Sequence, residues 1–347
     1  MPPAWSPIGL DATYSVGRHL SGVGVYSCEM LGGLAKAHPE QSFLHCYRPH
    51  HLWRGWLQSR PVNVTCSPLF ENSWPSRARL FHGLNQRMPA GRFRRAVCTF
   101  HDLFVMTGEY STPEFRERFT IQAREAVQRA DLIIAVSQFT AGQVETLLGV
   151  EPSRIRVVHH GVRFPPSGGE VQREPWILTA GAVQTRKNSL RLVEAFERFI
   201  LPPWRLVLAG GEGYGVAPVL DRIRQSPARD RIDYKGYVDG QTLTDLFRRA
   251  SIFAFPSLDE GFGIPVLEAM AVGLPVLSSN RSALPEVCGD AALFVDPFQV
   301  EEIGVSLKLL TEKESSRQAL ARRGLARAAE FTWTRAVEKT WGVYGEL

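Results

Sequence analysis

The chain has 347 residues, 44% hydrophobic and 22% charged, the make-up of a globular protein of roughly two domains, which excludes collagenous, coiled-coil, disulfide-scaffold and disordered chains. Its five cysteines, Cys28, Cys46, Cys66, Cys98 and Cys288, are scattered and form no C-x-x-C pair, so neither a zinc ribbon nor a thioredoxin-like centre is expected and a reducing cytoplasm is the simplest setting. The net charge of +5 is uneven: residues 1–166 hold 18 Lys/Arg against 12 Asp/Glu, and residues 167–347 hold 22 against 23.

In chain order, MPPAWSPIGLDATYS lacks a basic segment followed by an apolar one, so no targeting segment is expected. PIGLDAT and FLHCY predict strands around a helical YSCEMLGGLAKA. VCTFHDL is an apolar run ending in polar residues, and STPEFRERFTIQAREAVQRA follows it as a long helix. DLIIAVS predicts a buried strand, QFTAGQVETLLG a helix with a Ser start and a Gly stop, and IRVVHHGV a further strand. FPPSGGEVQREP breaks the periodicity with Pro and Gly and reads as a linker.

The pattern then restarts. WILTAGA, RLVLAGG, IDYKGYV, SIFAFPS, PVLSS and AALFVD are strand-like, with helices at SLRLVEAFERFI, TLTDLFRRA and PVLEAMAVG. Such alternation predicts parallel sheets covered by helices on both faces. Two such units joined near residue 166 make two Rossmann-like domains facing a cleft. The final FTWTRAVEKTWGVYGEL offers Phe331, Trp333, Val337, Trp341 and Tyr344 to one helix face, a packing surface with which the helix can return to the first domain. No uncharged apolar run approaches the ~20 residues that cross a bilayer.

Nine arginines and a single acid, Glu71, lie between Arg48 and Arg95, interleaved with Trp53, Trp56, Phe70, Trp74, Phe81 and Phe93. Arginine with Trp and Phe suits an anionic, partly apolar surface such as a membrane. Solvated loops would give the same composition. Nucleic acid suits the charge as well, but no nucleic-acid motif accompanies it, and none is expected as a partner.

The stretch richest in chemistry is FAFPSLDEGFGIPVLEAMAVGLPVLSS, residues 253–279. A strand ends at Pro256, a short loop follows, Pro265 suits the first turn of a helix, and Gly273 stops it. Ligands of open parallel sheets bind at the carboxyl ends of strands. There the backbone N–H groups of Phe262, Gly263 and Ile264 can face a phosphate. Two acids, Glu260 in the loop and Glu268 in the helix, would repel that phosphate, so hydroxyls are their natural partners: a carboxylate can accept from both oxygens of a vicinal diol. Glu260 suits a transferred sugar and Glu268 a ribose. Both could equally be helix-start acids favoured by the dipole. In SGVGVY, Gly22 and Gly24 suit a tight turn that brings backbone to a phosphate or acceptor. The third glycine of a dinucleotide fingerprint and its distal acid are missing, which argues against an NAD-dependent oxidoreductase.

E-x-F-G-x-x-x-x-E followed by A-M-A-x-G-x-P-V resembles the signature of glycosyltransferase family 4, the retaining, nucleotide-sugar-dependent enzymes of the GT-B fold. TAGAVQTRKNSLRLVEAF, ADLIIAVSQFTAGQVETLLGVEPSRIRVVHHGV, SGVGVYSCEMLGGLA and TFHDL are similar to further segments of that family, so the resemblance runs over roughly residues 8 to 345. It implies an acceptor-binding domain over 1–166, a nucleotide-sugar-binding domain over 167–330, and a helix over 331–347 packed on the first. It implies that Arg186 and Lys187 neutralise the donor diphosphate, that His101 in F-H-D-L touches the transferred sugar, and that Tyr237 and Val238 meet the nucleobase through backbone groups. Many members carry an Arg directly after the strand's glycine, where this chain has Ala182.

No D-x-D pair stands at a strand end and no His/Cys cluster is present, so no metal and no cofactor is expected. Arg186, Lys187 and the helix N-terminus would hold the leaving diphosphate instead. A retaining front-face route follows from the resemblance, with Glu260 positioning the sugar and with cleft closure about residues 163–175. SGVGVY, RKN and EGFGIPVLE look most like bacterial mannosyltransferases of O-antigen or exopolysaccharide assembly. GDP-mannose is the first donor expected and UDP-glucose the second, with a glycan or lipid-linked acceptor. The expected location is the cytoplasm, up to the inner face of the plasma membrane. The alternative reading is a non-catalytic basic module that binds nucleotides or nucleic acid.

Overall fold

The computed structural model describes residues 6–17, 20–72, 78–163 and 172–347. Among the described residues thirteen strands form two wholly parallel sheets. The chain divides into two compact units. Unit 1 takes residues 1–107, 113–161 and 332–347, and unit 2 takes 108–112 and 162–331.

Unit 1 holds β1 (Ile8–Asp11), β2 (Phe43–Tyr47), β3 (Val64–Pro68), β4 (Leu80–Gly83), β5 (Ala96–Phe100), β6 (Leu132–Ala135) and β7 (Ile155–Val157), in the order β3-β2-β1-β4-β5-β6-β7. Its helices are α1 (Gly22–Ala37), α2 (Pro49–Trp56), α3 (Phe104–Thr107), α4 (Pro113–Arg129) and α5 (Gln138–Leu148). Unit 2 holds β8 (Trp176–Ala180), β9 (Arg205–Ala209), β10 (Ile232–Gly236), β11 (Ile252–Phe255), β12 (Val276–Ser279) and β13 (Ala292–Val295), in the order β10-β9-β8-β11-β12-β13. Its helices are α6 (Ser189–Phe199), α7 (Ala217–Gln225), α8 (Gly240–Arg249), α9 (Ile264–Ala271), α10 (Leu284–Cys288), α11 (Val300–Glu312) and α12 (Glu314–Ala328). The last helix, α13 (Trp333–Gly345), belongs to unit 1.

These elements form for local reasons. The central strands are buried along their whole length, as in AVCTF and IFAF, because helices cover both faces of a parallel sheet. α5 starts at Ser137, whose hydroxyl accepts from the Thr140 amide (3.0 Å), and ends at Gly149 in the left-handed region, the Ser start and Gly stop the sequence announces. α13 returns to unit 1 because Ala336, Val337, Val343 and Tyr344 join the core built by β1, β2, β4 and α1, with Trp333 and Trp341 packed against it. Phe331 separates from that face: it stays in unit 2, edge-on to Phe262 with ring centroids 5.9 Å apart.

In each sheet the strand order reverses once, between β1 and β4 and between β8 and β11. At such a switch point the loops leaving adjacent strands diverge and open a crevice at the carboxyl ends.

Candidate active site

In unit 2 the crevice lies between the loop after β8, which carries Arg186 and Lys187, and the loop after β11, which carries Glu260. The three side chains meet. Lys187 Nζ stands 2.6 Å from Glu260 Oε1 and Arg186 Nη1 3.0 Å from Glu260 Oε2. Arg186 Nη1 also donates to the Asp259 carbonyl, and Lys187 lies over the Phe255 ring at 4.5 Å. All three residues are buried or nearly so. Burial alone would push the Glu260 carboxyl up; the charges of Arg186 and Lys187 outweigh it and bring it down to about 2.

The loop is braced by strained backbone. Among the described residues, two non-glycine residues have positive φ, Asn188 at 60° and Ser282 at 55°, and both hold this loop. The Asn188 side chain donates through Nδ2 to the carbonyls of Pro256 (3.0 Å) and Pro297 (2.6 Å). Ser282 Oγ accepts from the Glu260 amide (3.0 Å), and the Ala283 amide donates to the Glu260 carbonyl (3.2 Å). Strain of this kind persists where the surroundings over-determine a functional geometry.

α9 follows at once. Gly263 is its N-cap at φ 103°, a conformation open to glycine, and a Cβ there would lie 2.7 Å from Leu284. Ile264 and Pro265 start the helix, no side chain caps it, and Phe262 is buried beside Phe331. Glu268 is buried on the same helix. Burial pushes its carboxyl up to about 7, outweighing the opposing charge of Arg163. Val238 is half-buried just past the end of β10, the edge strand, with Tyr237 exposed beside it. Tyr110 reaches unit 2 in the segment 108–112. Its phenol is pushed up by burial and by Asp259, against the pull of Arg281 and Arg186.

Unit 1 gathers rings at the carboxyl ends of β4 and β5. His101 Nε2 pairs with the Leu84 carbonyl (2.9 Å), and its ring meets Tyr26 edge-on at 4.7 Å and stacks on His160 at 5.3 Å. Burial holds His101 down to about 4 despite the carbonyl, so it is neutral at pH 7. His82 connects Tyr344 Oη (2.6 Å) to Thr99 Oγ1 (2.8 Å), and Thr99 meets Tyr26 Oη (3.0 Å). Gly22 and Gly24 are not in a turn between strand and helix, as expected from the sequence. They are the first and third residues of α1, and the Gly24 amide donates to its N-cap Ser21 (3.3 Å). Gly24 lacks a side chain for a packing reason: a Cβ would lie 2.9 Å from the Tyr14 carbonyl.

Sequence reasoning missed Asn188, Ser282, Tyr110, His82 and the part of His160 in the ring cluster. For Asn188 a signal existed, since Asn tolerates the left-handed region better than most residues. The linker expected over 164–175 and the closure expected about 163–175 fall for residues 164–171 outside the described residues, as does Trp74. Among the described residues no three His, Cys, Asp or Glu side chains gather as a metal-holding group.

Two doubly wound parallel units, with a cation–carboxylate cluster at the switch point of unit 2, make up the GT-B architecture. The family described as Glycosyl transferases group 1 matches residues 163–327, and Glycosyltransferase Family 4 matches residues 76–164. The chain is 32% identical over 283 residues to the O-antigen chain mannosyltransferase B of Escherichia coli, covering 76% of this chain and 74% of that protein. It is 31% identical to the E. coli serotype-specific mannosyltransferase WbdA over 69% of this chain, which spans only 32% of that longer protein. By structure it is similar to a sucrose-phosphate synthase of Thermosynechococcus elongatus (TM-score 0.79, 18% identity, 98% of both chains). It is also similar to Anabaena HepE solved with UDP and glucose (TM-score 0.74, 16% identity, 98% of this chain and 99% of that one). The chain belongs to the group 1 glycosyltransferases, family 4, and is a hexosyltransferase.

Proposed function

We propose that the protein moves a mannosyl group from a nucleoside-diphosphate sugar, GDP-mannose before UDP-glucose, to a glycan or lipid-linked acceptor, with retention and without a metal. The observation that carries this is the Glu260 carboxylate gripped by Lys187 and Arg186 at the switch point of unit 2. An ammonium has three donors, so Lys187 can hold Glu260 and a diphosphate oxygen together, with Arg186 adding positive charge beside it. That charge would stabilise the leaving group without a metal. Glu260, ionised across the working pH range, orients sugar hydroxyls. Glu268 takes the ribose diol, the N-terminal backbone of α9 from Phe262 to Ile264 faces the phosphates, and Val238 borders the base. In unit 1, neutral His101 gives its Nε2–H to the Leu84 carbonyl and presents Nδ1 as an acceptor to a sugar hydroxyl, and the first turn of α1, Gly22 and Gly24 included, faces the substrates.

The E. coli relatives named as mannosyltransferases support mannose, and HepE with UDP and glucose supports a nucleoside diphosphate hexose. Retention rests on the family resemblance: a front-face route lets the departing phosphate take the acceptor proton, and no carboxylate has to attack. The protein would act at the inner face of the plasma membrane, with the arginine-rich span 48–95 toward its anionic surface; no helix among the described residues is long and apolar enough to cross a membrane. Thermal-shift screening with GDP, UDP and ADP tests the donor, since a ligand of the folded state raises the melting temperature. Donor-dependent release of free mannose from GDP-mannose then separates an enzyme from a passive nucleotide binder, which would release none.

A further inference from the structure

The arginines between Arg48 and Arg95 do not form one basic surface. Arg48 is buried and donates to Asp11 (3.0 Å) and Glu71 (3.1 Å), Arg87 also meets Glu71, and Arg95 meets Asp131 (3.2 Å). Arg79 donates to Gln41 (3.2 Å). Much of the cationic excess is therefore spent inside unit 1.

The aromatic character gathers elsewhere, on α2 and the turn from it to β3. One side of α2 packs inward: Leu52 lies against the core and Gly55 on the Tyr47 ring. The other side faces out, with Trp53 58%, Trp56 60% and Leu57 77% exposed, at the i, i+3 and i+4 positions that share one helix face. Trp56 and the fully exposed Val62 line an open depression of about 520 Å³ together with Arg60. β3, beside it, is the edge strand of its sheet. From residue 49 to residue 70 there is no Asp or Glu, while Arg54, Arg60, His50 and His51 are present.

We propose that this face seats the protein on an anionic bilayer, with Trp53, Trp56, Leu57 and Val62 at the headgroup–acyl boundary and the exposed Arg54 at the lipid phosphates, while Arg60, which donates to the Trp56 carbonyl (2.8 Å) and to Cys66 Sγ (2.7 Å), adds its charge from the rim of the depression. It narrows the membrane reading of the span 48–95 to one helix and one turn. Indole rings have an apolar body and a polar N–H, which suits the membrane–water interface. Cations on a stretch without acids are drawn to anionic headgroups. A second copy of the chain fits less well: a two-fold pairing of this face would set Arg54 and Arg60 against their own equivalents with no acid to answer them.

The test is sedimentation of the full chain with vesicles of phosphatidylcholine alone and of phosphatidylcholine mixed with phosphatidylglycerol. The expected result is binding to the mixed vesicles that weakens as salt is raised. Trp53→Ser with Trp56→Ser should lower the partition by at least about 10-fold, because roughly half of each ring's apolar surface leaves water on docking. Arg54→Ala should lower it about 5-fold. Brominated lipid in the mixed vesicles should quench the tryptophan fluorescence of the unmodified chain, a readout that needs no variant to fold. Absence of binding and quenching at low salt, equal binding by the double variant, or a concentration-dependent dimer abolished by it would overturn the proposal, the last in favour of a second copy. Release of mannose from GDP-mannose in free solution should be unchanged in the double variant; its loss from the parent bears on the transfer reading alone, so the two fail separately.

Discussion

Glu260 and Glu268 sit in one continuous segment of the chain, yet their surroundings drive them apart. The loop after β11 sets Glu260 between two cations, and its carboxyl falls to about 2. In α9, which follows, burial of Glu268 outweighs the charge of Arg163, and its carboxyl rises to about 7. Burial by itself favours the neutral acid, and a buried carboxylate stays charged only where paired charge outweighs desolvation. The first acid is a permanent anion held in one orientation by its partners. The second is poised at neutral pH and, on losing its proton, gives up its one O–H donor and accepts through both oxygens.

The contrast can be broken most forcefully at Glu260. Glu260→Ala should lower kcat by about 10²–10³, the range for losing one preorganised polar contact to a transition state. It should also cost about 3–5 kcal/mol of stability, because Arg186 and Lys187 are left buried without their carboxylate. Glu260→Gln keeps the shape and separates the two effects: turnover measured below its melting temperature should still fall. Next comes Lys187→Ala, which should weaken GDP binding by about 10–100-fold in calorimetry, the worth of a charge-assisted hydrogen bond.

Glu268→Gln sharpens the comparison through pH. If donor binding needs the carboxylate, affinity in the parent should rise with pH through a midpoint near 7, and the variant should bind about 10-fold more weakly at alkaline pH with no such rise. His101 does not blur this profile, since it stays neutral above about 4. The two acids also act on stability with opposite sign. The depressed Glu260 contributes stability above the ordinary glutamate value that is lost as pH falls toward 2. The raised Glu268 contributes stability below the ordinary value that is lost as pH rises through about 7. Glu268→Gln should therefore flatten the fall of melting temperature toward neutral pH. The smallest effect is expected in unit 1, where Tyr344→Phe removes one hydrogen bond to His82 and should cost about 1 kcal/mol.

Strands covered by helices on both faces were legible because they spell continuous apolar runs: IGLD, AVCTF, LIIA, IFAF and VLSS each match an observed strand. β4 was not, although buried throughout, because half of LFHG is His and Gly, and His82 is accommodated only by Tyr344 and Thr99 from distant parts of the chain. α2, written PHHLWRGW, hides behind Pro, His and Gly. At the candidate site, Glu260, Glu268 and Lys187 stand out by residue type and spacing. The backbone that aims them does not: the left-handed φ of Ser282 exists only once β12 has packed and its turn can reach the Glu260 amide. Gly24 shows how one letter can carry two meanings: the sequence reads it as part of a turn, whereas it lies in the first turn of α1, where a Cβ would lie 2.9 Å from the Tyr14 carbonyl.

The central claim is that unit 2 grips a nucleoside diphosphate between Lys187 and Glu268 with the sugar presented to Glu260. A crystal structure with GDP bound tests it most directly. The diphosphate is expected within hydrogen-bond distance of Lys187 Nζ and the ribose hydroxyls on the Glu268 carboxylate. A nucleotide lodged elsewhere, with Lys187 still committed to Glu260 alone and Glu268 untouched, would contradict it.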